Sequence, residues 1–232
     1  MYQQLSKNGD ICSLIACMNC LLIAATAKEI APFLKQYRNT QKKFSADIDV
    51  FVTGIGLTAT SYHLTRQLQL KRPDFVIQAG VAGCFDKQFP LGSVLAIGQD
   101  TIADESVIEM KKLKTLFDLK LVPQDQFPFT KGWLVNNIDL LKKSKLKIVR
   151  GISVNQITTS KEMIRFYRKE FNPVTESMEG AALHYVCLNE QIPFLQIRSV
   201  SNYIGERNKK NWNMMDSIQN LNEKLITIIN NY

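Results

Sequence analysis

The stretch 176–203, ESMEGAALHYVCLNEQIPFLQIRSVSNY, sets the narrowest limits on how this chain can fold. An acidic strand end and a tight turn lead into a helix predicted from residue 180 to about 190. A continuous apolar strand follows over 194–200 and stops at Ser201 and Asn202. In a parallel sheet, such a strand, helix, strand unit brings the ends of both strands to one edge. Glu179 and Asn202 then face one crevice, a carboxylate and a carboxamide over a shared opening. A polar residue at the end of a buried strand needs a partner, and in an open crevice a ligand can supply it. A local alternative stands beside this: Glu179 caps its own helix and Asn202 makes a turn. Taken alone, the residues leave both readings open.

The rest of the chain alternates strand and helix patterns. An opening strand is predicted over 21–26, followed by the amphipathic helix AKEIAPFLKQY with Ile30, Phe33 and Leu34 on one face. Glu29 falls in the first turn of that helix, where the helix dipole favours a carboxylate. IDVFVTGIG reads as a strand with a turn at Gly54 and Gly56, and SYHLTRQL as the helix after it. A lone G-x-G with no third glycine does not make a dinucleotide site. DFVIQAGVAGCF is a buried strand running into a turn at Gly80 and Gly83, where backbone N–H groups can hold an anion or a sugar hydroxyl. GSVLAIGQDTIADES is a further strand whose acidic end suits a site wall or a subunit contact. The lysine-rich region 109–147 reads as surface helix and loop, and the strand pattern resumes over 148–154. Ile218, Leu221, Leu225 and Ile228 give a closing helix that packs on the core.

With 232 residues, 45% hydrophobic and 22% charged, the chain suffices for one large α/β domain, and a second is not needed. The net charge of +8 comes largely from lysines spread through the middle third without interleaved aromatics. That describes a solvated face rather than a nucleic-acid groove, although it can help attract an anionic substrate. Five cysteines without paired spacing point to reduced thiols in a cytoplasmic protein. The Cys17 and Cys20 pair has no second pair, and the only histidines are His63 and His184, so no metal site is expected. His184 reads as a core or helix-face residue and His63 as helix surface. Residues 1–17 contain an apolar run, ICSLIAC, that fits either an extension before Met18 or an export leader. One lysine offset by one aspartate, ahead of so short a run, favours the extension. No later run is long enough to cross a bilayer, and no membrane association is expected.

SMEGAA followed by QIRSVSN resembles the signature of the nucleoside phosphorylase and nucleosidase superfamily. With TGIG, QAGVAG and SNYIGERNKKNWN in order, the chain is similar to the futalosine hydrolases of that superfamily over about residues 20–232. The resemblance implies a three-layer α/β/α sandwich with a mixed, twisted central sheet, residues 18–232 forming the catalytic domain, a homo-oligomer and no cofactor. It implies that Glu29 activates water, that Met178 and Glu179 grip the ribose, and that Ser201 and Asn202 meet the purine. Gly80 and Gly83 would border the sugar, and Ile157 and Thr158, in the loop 155–160, would line the base. Trp212 would close over the substrate. Arg207 either pairs with a carboxylate on the 5′ side of the substrate or makes a surface ion pair with Glu206 or Asp216. Where related phosphorylases carry a glycine-aspartate-proline with an arginine, this chain has AATAKEI; where they carry another arginine and a serine, it has Gln78 and Val81. Both phosphate anchors are gone. The implied reaction is hydrolysis of the N-glycosidic bond of futalosine, releasing hypoxanthine, in menaquinone synthesis. Two alternatives remain: a methylthioadenosine and adenosylhomocysteine nucleosidase, against which Asn202 speaks, and an inactive nucleoside-binding relative, against which the retention of both glutamates speaks.

Overall fold

The computed structural model describes residues 18–39, 44, 46–109, 112–136 and 139–231. The segment 1–17, with its extension or leader and Cys17, lies outside the described residues. In chain order the strands and helices are β1 (Asn19–Ala24), α1 (Ala31–Asn39), β2 (Asp47–Val52), α2 (Leu57–Leu70), β3 (Phe75–Cys84), β4 (Val94–Asp100), β5 (Ser106–Glu109), β6 (Lys112–Thr115), β7 (Phe129–Thr130), β8 (Trp133–Val135), α3 (Asp139–Lys143), β9 (Lys147–Ser153), α4 (Lys161–Glu170), β10 (Thr175–Ser177), α5 (Gly180–Asn189), β11 (Phe194–Tyr203) and α6 (Met214–Ile229).

The mixed α/β character follows the pattern of the sequence. In β1 alternate residues divide between two cores: Cys20, Leu22 and Ala24 pack with Phe33 of α1 and Leu221 and Leu225 of α6. Leu21 and Ile23 pack with Leu64 and Leu68 of α2 and Leu183 and Val186 of α5. A strand buried on both faces must be apolar at every position, as NCLLIA nearly is. The sheet does not stay open between its helices. β3, β11, β4, β9 and β10 pair in succession and β10 returns to β3, closing a five-stranded ring from which β1 and β2 extend. Among the described residues no helix is long and apolar enough to cross a membrane.

Several local expectations change. β10 pairs with β3 antiparallel while β11 pairs with it parallel, so the two strands of the 176–203 unit run in opposite directions rather than side by side in a parallel sheet. β11 does not stop at Ser201; it continues to Tyr203 because β3 goes on pairing with it as far as Cys84. Gly80 and Gly83 lie within β3, not in a turn after it. Region 109–147 contributes β6, which pairs with β5 just ahead of it, a second small hairpin of β7 with β8, and the short α3. An exposed hairpin can carry lysines on either face, and its sequence then shows no apolar alternation.

α1 begins two residues after Glu29, at Ala31. Pro32 suits a first helical turn, where its missing N–H leaves no bond unmade. The next donor, Phe33 N–H, is taken by Asn222 Oδ1 of α6 at 3.0 Å. Asn222 Nδ2 donates to the Glu29 carbonyl at 2.8 Å and to the Ile218 carbonyl at 2.6 Å. One buried amide on the last helix therefore fixes the turn that carries Glu29. Asn222→Ala leaves a buried donor and a buried acceptor unpaired, each worth about 1–3 kcal/mol, and should destabilise the fold by about 2–4 kcal/mol in urea denaturation. A loss below about 0.5 kcal/mol would show that this amide is not what holds the turn.

Candidate active site

Beside β3, β10 and the end of β11 lies a cavity of about 340 Å³. Glu29, Met178, Glu179, Ile157, Asn202 and Trp212, all singled out from the sequence, line it, together with Gly83 and Ser201. Thr158 is buried behind the wall, where its N–H donates to Glu176 Oε1 at 3.0 Å. Gly80 and Arg207 are not part of the wall.

Glu29 is buried in a turn, with each carboxylate oxygen held. Oε2 accepts from Thr26 N–H and from the Thr26 hydroxyl, both at 3.0 Å, and Oε1 accepts from Val81 N–H of β3 at 3.1 Å. Its fixing is by these donors and not by a place in the first turn of α1. The Val81 N–H, one of the backbone donors a small anion would need, is already committed to this carboxylate.

Glu179 occupies the N-cap position of α5 but makes no capping hydrogen bond. Its Oε1 instead accepts from Gly56 N–H at 3.1 Å, and its Oε2 lies 3.5 Å from Arg198 Nη1. Two serines of neighbouring strands take over the cap: Ser177 Oγ accepts from Gly180 N–H at 3.2 Å and Ser153 Oγ from Ala181 N–H at 2.8 Å. Ser153 in turn donates to Asp100 Oδ1 at 3.0 Å. The first helical donors are satisfied from outside, which frees the Glu179 side chain for the cavity. Burial pushes the Glu179 carboxyl up, and the Arg198 guanidinium draws it back down.

Arg198 was not legible as a site residue. It sits inside a strand read as continuously apolar, is 1% exposed, and donates from Nη2 to Gln78 Oε1 at 2.7 Å. A side chain at Gly80 would collide with Arg198 Nη1 and would stand 3.0 Å from Glu29 Oε1, so a bare Gly80 leaves room for the guanidinium on one side and the Glu29 carboxylate on the other. The available signal was the alternation of Gln196 and Arg198 in QIRSV, two polar side chains on one face of a buried strand. Asp100, Gln196 and His184 are buried near this cation. His184 is a core residue: burial lowers its pKa to about 4, and its Nδ1 pairs with the Leu134 carbonyl at 2.9 Å.

Asn202 reaches the cavity through a β-bulge. β11 pairs Val200 with Ala82 and then Asn202 with Gly83, leaving Ser201 as the extra residue. Asn202 Oδ1 accepts from the Ser201 hydroxyl at 2.9 Å, and Nδ2 donates to the Tyr203 carbonyl at 3.3 Å. The loop 155–160 is anchored by Asp104, which accepts from the N–H groups of Asn155 and Gln156. Trp212 Nε1 donates to the Glu206 carbonyl at 3.1 Å. Arg207 is exposed and forms no ion pair with Glu206 or Asp216; its guanidinium lies 5.8 Å from the centre of the Trp212 ring. The Glu206 carboxylate is taken by Asn208 N–H and Asn211 Nδ2 instead.

The site thus offers two carboxylates beside a buried cation, a carboxamide, an aromatic wall and an apolar methionine in one small volume. A model of the phosphorylase superfamily matches residues 21–231. The chain is 26% identical over 175 residues to a 5′-methylthioadenosine/S-adenosylhomocysteine nucleosidase of Buchnera aphidicola, covering 72% of this chain and 71% of that one. It is 25% identical over 172 residues to the nucleosidase of the same name from Maridesulfovibrio salexigens, covering 69% and 70%. In fold it is similar to the futalosine hydrolase of Helicobacter pylori, with a TM-score of 0.77 at 20% identity over 93% of this chain and 98% of that one. It is also similar to a 5′-methylthioadenosine/S-adenosylhomocysteine nucleosidase of Colwellia psychrerythraea in complex with adenine, with a TM-score of 0.75 at 19% identity over 93% and 96%.

Two expectations follow for the support of α5. Gly180→Ala gains about 1 kcal/mol of helix propensity, but its Cβ would strike Asp100 Oδ2 and Gln196 Nε2. The collision should win, lowering Tm and costing about 1–3 kcal/mol net; a rise in Tm would refute this packing. Asp100, wholly buried, is pushed up by burial from a usual 3.8 to about 7. Between those values the folded chain holds a proton that the unfolded chain has lost, so stability falls as pH rises from about 4 to about 7. Denaturation midpoints taken across this range should show that fall in the wild type, and Asp100→Asn should flatten it.

Proposed function

The chain belongs to the phosphorylase superfamily, and on that premise we propose that it is a nucleosidase that hydrolyses the N-glycosidic bond of a purine ribonucleoside, with futalosine as its substrate. The observation that carries the reading is the pair Glu29 and Glu179 in one cavity, each held by donors from other segments of the chain.

Cleavage breaks the bond between the anomeric carbon and the purine nitrogen. Its electrons leave with the base, and the ribose becomes cationic. In this reading Glu179 accepts from the ribose hydroxyls and faces the developing positive charge, while Met178 packs against the sugar. Glu29 orients a water and takes its proton as the oxygen bonds to the anomeric carbon. Arg198 lies at 3.5 Å from Glu179 and offsets part of the upward push that burial gives its carboxyl. Phosphate is a poor competitor for the water. Glu29 already occupies Val81 N–H, and a phosphate there would meet two carboxylates.

The base is read through Asn202. The Ser201 hydroxyl donates to its carbonyl oxygen, and one hydrogen of its NH₂ goes to the Tyr203 carbonyl, which leaves the other for a base. Hypoxanthine presents two adjacent acceptors, N7 and O6, which suit an NH₂ donor; adenine presents an acceptor beside an amino donor. This supports a 6-oxopurine; the choice of futalosine within that class rests on the resemblance of SNYIGERNKKNWN to the futalosine hydrolases. The second reading, a methylthioadenosine and adenosylhomocysteine nucleosidase, is favoured by the names of the relatives above. A phosphate-free assay of futalosine, inosine and methylthioadenosine separates the two. Futalosine should release hypoxanthine and unphosphorylated sugar, and Glu29→Gln should lower turnover by about 10²–10⁴-fold while disturbing binding less. Release of a ribose 1-phosphate, or faster cleavage of the 6-amino compound, would sink the assignment.

A further inference from the structure

Glu179 stands at the N-cap position of α5, yet its carboxylate stays off the helix. An N-cap side chain ordinarily accepts from the second or third helical N–H, and the second here is Ala181. Ser153 Oγ takes that donor and Ser177 Oγ takes Gly180 N–H. A hydroxyl caps with a lone pair, so the direction in which each serine sends its own hydrogen decides whether the cap holds. Ser153 donates to Asp100 Oδ1 at 3.0 Å, and its oxygen lies 3.3 Å from Ser177 Oγ. With its one hydrogen spent on Asp100, Ser153 is the acceptor in that second contact and Ser177 the donor. The relay runs one way, from Ser177 to Ser153 to Asp100, and both serine oxygens keep a lone pair on α5. Its terminus, Asp100, is wholly buried.

The other oxygen of Asp100 shows what the terminus requires. Asp100 Oδ2, Gln196 Oε1 and His184 Nε2 are buried without partners among the described residues, although Gln196 is within reach of both other side chains. His184 Nδ1 faces the Leu134 carbonyl and so carries the ring hydrogen, which leaves Nε2 an acceptor. A proton on Asp100 Oδ2 and a half-turn of the Gln196 amide satisfy all three atoms: Asp100 donates to Gln196, and Gln196 to His184. Oδ1 is untouched by that proton and still accepts from Ser153. An asparagine meets the same demands, with its oxygen on Ser153 and its NH₂ toward Gln196; an apolar side chain meets neither.

Resting on the reading in which Glu179 accepts from the ribose hydroxyls, we propose that Asp100 is a positioning residue for hydrolysis: as terminal acceptor of the serine relay it keeps Ser153 on Ala181 N–H and so releases Glu179 to the sugar. Without an acceptor at position 100, Ser153 turns its hydrogen elsewhere and Ala181 N–H opens. The carboxylate of the N-cap residue, Glu179, is placed to take it, and the helix dipole favours that move. A Glu179 drawn onto its helix no longer grips the ribose.

The test compares kcat/KM for the purine ribonucleoside that the wild type cleaves fastest with that for its 2′-deoxy counterpart, in the wild type, Asp100→Asn, Asp100→Leu and Ser153→Ala, with Tm alongside. The preference for ribose should fall by at least about 10-fold in Asp100→Leu and Ser153→Ala, and stay within about threefold of the wild type in Asp100→Asn. Ser153→Ala removes only the capping oxygen, so it carries the test where Asp100→Leu fails to fold. Variants that lose Tm and lose rate on both substrates alike, with the ratio kept, mark a merely structural role and overturn the proposal. Loss of the ratio in Asp100→Asn as well would make the charge, and not the accepting oxygen, the requirement, which overturns it too. A wild type without preference for ribose overturns the reading of Glu179 and this proposal with it. A wild type with a strong preference that Asp100→Leu and Ser153→Ala leave untouched overturns this proposal alone.

Discussion

The geometry of the cavity depends on a guanidinium that has no access to water. A guanidinium brings five N–H donors and a charge into the interior, so burying one obliges the fold to surround it with acceptors. Gln78 supplies one oxygen and Glu179 another, from segments remote in sequence. Each choice then constrains the next. Glu179 can serve the cation only if it does not cap α5, and α5 can lose that cap only if Ser177 and Ser153 take the first helical N–H groups. Gly80 must be bare for the guanidinium to lie against β3, and Gly180 must be bare for α5 to approach Asp100 and Gln196. Gly80, Gln78 and the two serines are thus tied to one buried positive charge.

The same fold gives two carboxylates different environments. Glu29 takes three hydrogen bonds from donors that cannot move far, two of them backbone N–H groups. Glu179 takes one backbone N–H, from Gly56, and otherwise leans on Arg198. Gly56 sits at φ +95°, a conformation open to glycine at little cost, and this aims its N–H at the carboxylate. Three fixed donors hold Glu29 in one orientation toward a small reactant. Glu179, with fewer donors of its own, has capacity left for ligand hydroxyls. That difference underlies the separate roles proposed for them.

Much of this was legible in the sequence because it depends on local pattern. Apolar runs and their helical or strand periods gave the α/β alternation, and most of the residues flagged for chemistry line one cavity. What was not legible is non-local. Whether β10 runs with or against β11 depends on β3, which pairs with both, and nothing in ESMEG reports its direction. Ring closure likewise needs five strands at once. Arg198 was hidden because its apolar neighbours make the segment read as core, and its acceptors lie in other elements. Arg207 was placed near the substrate by its proximity to Trp212, yet its chain segment turns outward and leaves it on the surface beside that ring. Around 109–115 the hairpin of β5 and β6 is exposed or half-buried up to Thr115, too little buried surface to impress a period on its sequence.

The bulge at Ser201 shows how little sequence such non-local features need. Arg198 and Asn202 are separated by an even number of positions, so in a regular strand they would project from the same face. Arg198 pairs with Gly80, and its guanidinium lies against that residue, outside the cavity wall. The extra residue shifts the pairing so that Asn202 meets Gly83, three positions further along β3 rather than four, and this odd step puts it on the opposite face. One inserted serine thus lets a single strand send a cation to the support beneath the carboxylates and an amide to the wall of the cavity. The serine then uses its own hydroxyl to orient that amide. A contiguous motif such as RSVSN carries this information only together with the register of β3, which is why Ser201 and Asn202 could be named in advance while Arg198, and the division between the two faces, could not.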